Sequence, residues 1–507
     1  MPISYRAVSA MAETNDPSAL KPALRIQWYI QQLAAAIQML PGRFLAASAL
    51  AFALGACLWY LPVGISADAR VSLVAFAAAV VFWVVSRLDK TFIALAALCA
   101  GAVVGTSSFD TTVLGALGHG MIGLLLAAFV IAKAITLSGL AQRITAPLVR
   151  NSRSVARTFY ALTGAMLVLA MVMPSTSGRA ALMLPVFLTI AGQVANPRVT
   201  RALALLIPTV ILLSSAGSLI GAGANILAAD AIWRLTGERI DYLRWMTLGL
   251  PFAVVSCFLS TWVILTLFLG KAERERPLVS SGDQPQPTPA TQRLTAREKF
   301  VLSISASLVV LWCTQSLHGI DNVTVALVGA LAVTAPGLGV LTFKQAVQSI
   351  DWNLLLFMAA CLQLGDALIG SGGAGWAVDS LFRAMPLGGA DTAALLAMVA
   401  TVCLLAHLVV TSRMARASIL VPMILPIAIS LGYNPAAFAI ITAIATGYCL
   451  TLPVSAKPLA MMSELDGPTF KPGDLLALSA VLLPLHLGLL VIFSLYVWPW
   501  LGLPLSG

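Results

Sequence analysis

The chain has 507 residues, 59% of them hydrophobic and only 10% charged, with a formal net charge of +10. Apolar runs of about 16–25 residues, the length that crosses a hydrocarbon core, recur from Phe44 onward, which excludes a soluble globular enzyme and indicates an all-α polytopic membrane protein. No basic block stands in a folded polar region, so the positive excess reads as loop asymmetry across a bilayer and not as a nucleic-acid surface.

Residues 1–43 form a mixed polar tail, expected on the cytoplasmic side, that lacks the basic start, short apolar core and cleavage site of a signal peptide. Spans are predicted at 44–63, 71–86, 91–105 and 120–139, followed by a basic stretch from Ala141 to Arg157 that is too polar to cross. A long apolar stretch at 158–193 breaks near Pro174, a second at 202–228 breaks at Gly217, Gly221 and Gly223, and a span at 246–270 closes the first half. The hydrophilic segment 271–299, with its Pro/Gln/Ser-rich run from Pro277 to Gln292, reads as a cytoplasmic linker. Beyond it come spans at 300–316, 322–341 and 352–370, and a polar arm at 371–390. A broken stretch at 391–431, a span at 436–461 interrupted near Pro453 and Pro458, and a last span at 475–500 follow. The domains expected are thus the tail 1–43, a first span plus first repeat at 44–270, the linker 271–299, and a second repeat at 300–507.

Two of these broken stretches carry near-copies of one motif. Ser175-Thr176-Ser177-Gly178-Arg179-Ala180 and Ser412-Arg413-Met414-Ala415-Arg416-Ala417 share the pattern Ser-x-x-(Gly/Ala)-Arg-Ala, and each serine is followed ten residues later by a proline, Pro185 or Pro422. Phe109 to Ala141 also matches Phe343 to Gly375 with one gap, which sets Lys133 against Asp366, and Asn196-Pro197 matches Asn434-Pro435. Duplication explains the pattern and predicts about eleven transmembrane helices: one span and two inverted five-segment repeats, each with a re-entrant hairpin and a discontinuous helix. On that topology Lys and Arg favour the cytoplasmic side by about four to one.

Breaks in apolar stretches free backbone groups that lipid cannot satisfy, so they belong where a cavity is lined. Ser175, Thr176, Ser177 and Ser412 fall where a helix restarts, and a helix N-terminus attracts anions. Arg179 and Arg416 lie one turn further on. A guanidinium can hold a carboxylate or sulfate through two parallel hydrogen bonds, although either arginine could instead pair with a backbone carbonyl or snorkel to water. Arg413 and Lys457 are candidate anion contacts without a counterpart in the other half. Lys133 and Asp366 either sit near span ends or, if buried, could carry a proton. The seven cysteines lie singly and read as core residues; His119, His318, His407 and His486 have no metal spacing, and of these His407 stands out by its place five residues before Ser412. No metal or other cofactor is expected. No histidine-rich box, intramembrane Ser/His/Asp set or nucleotide loop supports an enzyme.

Met173 to Pro185 and Val410 to Pro422 resemble the two Ser-Asn-Thr hairpin signatures of the divalent anion/sodium symporters, which carry di- and tricarboxylates and sulfate. Leu452-Pro453-Val454-Ser455-Ala456-Lys457-Pro458 is similar to the stretch that gives substrate contacts after the second hairpin, and Gly221 to Asn225 to its counterpart in the first half. The resemblance runs from about residue 64 to 500. It implies an alternating-access carrier of a small divalent anion in the bacterial inner membrane, a homodimeric scaffold with the hairpins in a moving domain, and substrate contacts that include Asn225, Ala456 and Lys457. It also implies sodium coupling through the signature Asn residues. Here those positions are Thr176 and Arg413, and the signature Thr positions are Ser177 and Met414. An arginine cannot ligate a cation, and its fixed charge can neutralise an anion in the ion's place, so sodium coupling is not expected to be strict. The competing readings are a cation/proton exchanger or metalloid efflux permease of the same superfamily, an anion channel, and a membrane-embedded enzyme.

Overall fold

The computed structural model describes residues 42–60, 64–86, 88–104, 115–140, 143, 154–194, 196–277, 294–384, 391–465 and 469–506. The amino-terminal tail up to residue 41, most of the basic stretch after the fourth span and most of the linker lie outside the described residues. Among the described residues there is no β-strand, only an isolated bridge between Tyr433 and Ser506. Among the described residues, nine helices are long and apolar enough to cross a membrane, and shorter apolar helices accompany them.

The first half contains α1 (Gly42–Tyr60), α2 (Ala67–Val85), α3 (Lys90–Val104), α4 (Gly120–Ser138), α5 (Val155–Val172), α6 (Thr176–Gln193), α7 (Pro197–Ser214), α8 (Gly223–Thr236) and α9 (Tyr242–Phe268). The second contains α10 (Ala296–Cys313), α11 (Asn322–Thr334), α12 (Trp352–Gly370), α13 (Gly373–Ala384), α14 (Thr392–Leu405), α15 (Arg413–Ser430), α16 (Pro435–Ala445), α17 (Lys457–Ser463) and α18 (Pro472–Ile492). Local sequence sets many of the starts. Ser66, Ser154, Asn196, Asp241, Asp321 and Asn434 each accept a backbone N–H of the first turn. Pro197 and Pro435 sit in the first turn of α7 and α16, where a missing N–H costs nothing.

Some boundaries differ from the sequence expectation. The span predicted at 322–341 ends at Thr334, because Ala335 is extended before Pro336 and Gly337 follows at φ +81°. The interruption expected near Pro453 and Pro458 is present and runs from Thr446 to Ala456, beginning several residues before the first of these prolines. The polar arm expected at 371–390 contains the helix α13.

The interrupted helices form the centre. Helix α7 is buried along nearly its whole length, and it packs on α5, α6, α9 and α17, while α8 packs on α15 and α16. Helices α1, α2, α3 and α12 make a neighbouring group in which α1 lies on α2, and α2 and α3 lie on α12. At the start of the linker, Glu273 accepts from the Gly270 N–H at 2.8 Å and from Asn196 Nδ2 at 3.3 Å. The Gly270 N–H, foremost, holds this carboxyl below the usual carboxylate range, and the contact ties the end of α9 to the start of α7.

The first interruption is a built structure. Ser215–Gly217 and Leu219–Gly221 form 3₁₀ turns separated by extended Ser218. Asn225 Nδ2 donates to Ser215 O and Ser218 O, both at 2.8 Å, and Trp245 Nε1 donates to Ala216 O at 3.0 Å. A Cβ on Gly221 would meet Ser215 O at 2.5 Å, so no larger residue fits this turn. The second interruption is tied differently: Tyr448 Oη and Thr451 Oγ1 both reach Ser479 Oγ, and His407 Nε2 lies 2.8 Å from Thr451 Oγ1.

Candidate functional site

Both interruptions and both motif tips open onto one cavity of about 560 Å³. Ser175, Thr176 and Ser177 line it at the start of α6, Thr411 to Met414 at the start of α15, Gly223 and Ala224 at the start of α8, and Val454 to Pro458 around the start of α17. Ser175 Oγ accepts from the Gly178 N–H at 3.1 Å, and Ser412 Oγ from the Ala415 N–H at 3.3 Å. Helix α8 starts at Ala222 with no side-chain cap. The positive ends of α6, α8 and α15 therefore converge on one space, an arrangement that favours an anion.

Side-chain charge reinforces this field. Lys90, Arg413 and Lys457 line the cavity, with Lys90 Nζ donating to Thr411 Oγ1 at 2.8 Å. The two acids on the wall are already engaged as helix caps. Asp89 Oδ1 accepts from the Thr91 and Phe92 N–H groups at 2.9 and 3.1 Å, and Asp351 Oδ1 from the Leu354 N–H at 3.1 Å. The wall is thus net positive, and its acids are turned to their own backbone.

Arg413 crosses between the halves. From the start of α15 it donates to Ser215 Oγ, to Asn225 Oδ1 at 3.3 Å and to Ala443 O at 3.4 Å. These acceptors come from the first interruption, from α8 and from α16. A Cβ on Gly447 would stand 2.9 Å from Arg413 Nη2, so the glycine leaves room for the guanidinium. Its neighbour Met414 rests on Gly223, where a Cβ would come within 2.7 Å of Met414 Sδ.

Arg179 and Arg416 occupy a different environment, behind the cavity wall, each only 1% exposed. Arg179 donates to Ser214 Oγ at 2.9 Å and Gly221 O at 3.2 Å. Arg416 donates to Val410 O at 2.6 Å, Thr411 O at 3.1 Å, Thr446 O at 2.8 Å and Cys449 Sγ at 2.6 Å. Each arginine fastens its motif tip to the interruption of the helix that follows it, which is the backbone-carbonyl alternative left open by the sequence. Of the ten residues expected to contact substrate, Ser175, Thr176, Ser177, Ser412, Arg413, Ala456 and Lys457 line the cavity. Arg179, Arg416 and Asn225 lie behind it.

The model of the sodium:sulfate symporter transmembrane region matches residues 44–503. The chain belongs to this family. A membrane protein of Cupriavidus necator is 23% identical over 87% of this chain and 89% of its own length. The citrate/succinate antiporter of Escherichia coli K12 is 24% identical over 60% of this chain and 63% of its own, and the putative malate transporter YflS of Bacillus subtilis is 26% identical over 64% and 69%. The fold also matches the YdaH transporter of Alcanivorax borkumensis, with a TM-score of 0.56 at 18% identity over 78% of this chain and 89% of that one. The family is one of transporters of dicarboxylate and sulfate type, so the chain is a multi-pass membrane transporter and not an enzyme.

Within this symporter family member, the residues matched between the halves do not meet. Lys133 is half-buried near one end of α4, and Asp366 lies near the far end of α12. The partner of Asp366 is Arg234, whose Nη1 is 2.6 Å from Asp366 Oδ2. Sequence reading also missed Lys90 and Asn353 in the cavity wall. Lys90 stands at an ordinary loop-to-helix junction 321 residues from Thr411, and no local pattern marks it.

Proposed function

We propose that this protein moves a small dicarboxylate, or a tricarboxylate or sulfate-like divalent anion, across the bacterial inner membrane by alternating access, without a strict need for sodium. The observation that carries the reading is the convergence of three helix N-termini with Lys90, Arg413 and Lys457 on one cavity. The hydroxyls of Ser175, Thr176, Ser177 and Ser412 add donors around it. Two anionic groups of one solute can then meet the α6 start on one side and the α15 start with Arg413 on the other. The names of the relatives, citrate/succinate and malate, favour a carboxylate over sulfate.

The lack of a sodium requirement rests on Arg413. Its guanidinium engages three oxygens drawn from separate elements, the kind of nest in which a bound cation would sit, and brings a fixed positive charge to the cavity edge. An anion carried through a low-dielectric barrier needs compensating charge, and this side chain supplies it without a metal.

The same proposal takes the two halves as inverted repeats joined by the 271–299 linker. It places the amino terminus in the cytoplasm, from the loop charges, and two copies in a homodimer, as the resemblance implies. With that orientation the cavity opens beside Leu88 to Thr91 on the cytoplasmic side.

Uptake of labelled succinate, citrate and sulfate into proteoliposomes tests the reading. Succinate uptake in sodium-free choline medium is expected to stay within about twofold of that in sodium, because the fixed guanidinium persists in either salt. Uptake that falls to background in choline and recovers with sodium overturns the sodium-independent part. Transport of none of the three anions overturns the substrate class.

A further inference from the structure

A second polar cluster lies away from the anion cavity, where α8 meets α12 and the start of α4. Arg234 donates through Nε to Asp230 Oδ2 at 2.8 Å and through Nη1 to Asp366 Oδ2 at 2.6 Å. His119 Nε2 lies 3.0 Å from Asp230 Oδ1. His119 Nδ1 accepts from the Met121 N–H at 3.3 Å. Two carboxylates, those of Asp230 and Asp366, thus share the one Arg234 guanidinium.

The side chain of Asp230 is only 3% exposed, and its Oδ1 makes no aligned hydrogen bond, so the contact with His119 is one of proximity. Of the other elements packed on α12, α2 carries Asp68 and Arg70, and α13 carries Asp379 and Arg383. Lys90, Arg413 and Arg416 sit at the ends of α3 and α15 that face the anion cavity and its wall, and Lys133 lies fourteen residues along α4 from His119, or about 21 Å. The ion pair shown for Asp366 among the described residues is the one with Arg234.

Asp366 does have access to solvent. It lines a separate cavity of about 300 Å³ with Asp68, Ser72, Gln363 and Ser371, and it also borders a small pocket against Ser418 and Pro422 of α15. Helix α12 presents Asn353 to Phe357 to the anion cavity and Gln363 to Ser371 to this second one, so the two open toward opposite ends of the helix. Helix α8 likewise begins at the anion cavity with Gly223 and carries Asp230 and Arg234 about 10 and 16 Å further on.

We infer that His119, Asp230, Arg234 and Asp366 form a proton-binding site in which Asp366 takes up one proton from the second cavity, and that this proton is the coupling ion. The inference rests on the transport reading above and adds the ion to it. Binding converts the Asp366 carboxylate to a carboxylic acid with no other bond made or broken, and it removes one of the two negative charges that share Arg234. It also weakens the tie from Arg234, the polar link between two helices that both line the anion cavity. Proton occupancy on one side is thereby linked to the freedom of α8 to shift against α12.

The test uses the full-length protein and two readouts. Asp366→Asn mimics the protonated acid in shape and charge and leaves the Asp230–Arg234 pair balanced. In substrate-free infrared difference spectra, acidification of the wild type is expected to raise a protonated-carboxyl band that is absent in Asp366→Asn and retained in Asp366→Glu. In proteoliposomes, accumulation of labelled succinate driven by an inside-alkaline pH gradient should fall at least about tenfold in Asp366→Asn, while succinate/succinate exchange, which needs no net proton release, stays within about twofold.

Arg234→Gln keeps both carboxyls but removes the cation paired with Asp366, so the midpoint of the band should move away from the wild-type value. It provides the decision if Asp366→Asn does not insert. Gradient-driven accumulation that survives Asp366→Asn, the same band in wild type and Asp366→Asn, or an unshifted midpoint in Arg234→Gln each overturns the proton site. Wild-type exchange with no response to the pH gradient overturns the coupling and leaves the carrier reading standing. If no succinate exchange occurs at all, the substrate reading fails, and the infrared band still decides the site.

Discussion

The two motif tips begin alike and end in different work. Thr176 and Arg413 both follow the capping serine of their helix, yet Thr176 puts a short hydroxyl side chain at the cavity wall and Arg413 reaches across to Ser215, Asn225 and Ala443. Three residues later the tips converge again. Arg179 and Arg416 are both sealed behind the wall and both hold backbone oxygens of the neighbouring interruption. The recurrent pair fastens backbone, whereas the residue present in only one half changes the chemistry of the shared space. On the function proposed above, the repeated arginines serve the architecture and the unrepeated one serves the site.

The largest effect is expected where that reading is most exposed to failure, at the buried pair. Replacing Arg416 with Gln frees up to four acceptors from a charged donor, and replacing Arg179 frees two. An unsatisfied buried acceptor costs about 1–3 kcal/mol. Both variants should lose thermal stability in detergent, Arg416→Gln more than Arg179→Gln, and binding should fall along with it. Lysine should not rescue either, because one ammonium cannot reproduce the fork of bonds. If either variant keeps wild-type stability and loses only anion affinity, that arginine is a substrate contact and the comparison with Arg413 collapses.

Arg413 should behave in the opposite way. Arg413→Gln keeps a planar donor for Ser215 or Asn225 but removes the charge at the cavity edge, so folding is expected to persist while succinate affinity drops by about 10- to 100-fold, the range for losing a hydrogen bond to a charged group. Detergent stability and ligand-induced thermal shift, measured on the same sample, separate the two roles. Equal losses in both would make Arg413 a third fastener.

How legible all this was follows from the distance over which each signal acts. Ser175 and Ser412 could be read because a cap and its helix are contiguous, and the interruptions because Gly217, Gly221, Gly223, Pro453 and Pro458 act on their own backbone. The end of the second interruption was legible from Pro453 and Pro458, whereas its start after Ala445 was not, because no proline marks it. The partners of Arg179 and Arg416 could not be chosen, since Gly221 O and Thr446 O look like any other carbonyl in a sequence. Lys90 and the Arg234–Asp366 pair were invisible for the same reason: their meaning lies in contacts across 321 and 132 positions, which only packing supplies.

The smallest effect sharpens the comparison from its other side. Lys133 is the position that sequence matching sets against Asp366, and if repetition by itself implied function, the two should matter equally. The structure gives them unlike surroundings. Asp366 binds Arg234 at the mouth of a cavity, whereas Lys133 is half-buried on α4 and has no hydrogen-bonding or ionic partner among the described residues. A long amine near a span end can keep its stem in apolar surroundings and its head in water, at little cost and with little consequence. Lys133→Ala is therefore expected to leave succinate uptake, its pH dependence and stability within about twofold of wild type, as for a surface change away from any named interaction. Uptake should be measured beside Asp366→Asn in the same vesicles. A loss in Lys133→Ala that matches the loss in Asp366→Asn would mean that the matched positions act together in a conformation other than this one, and that repetition carries function after all.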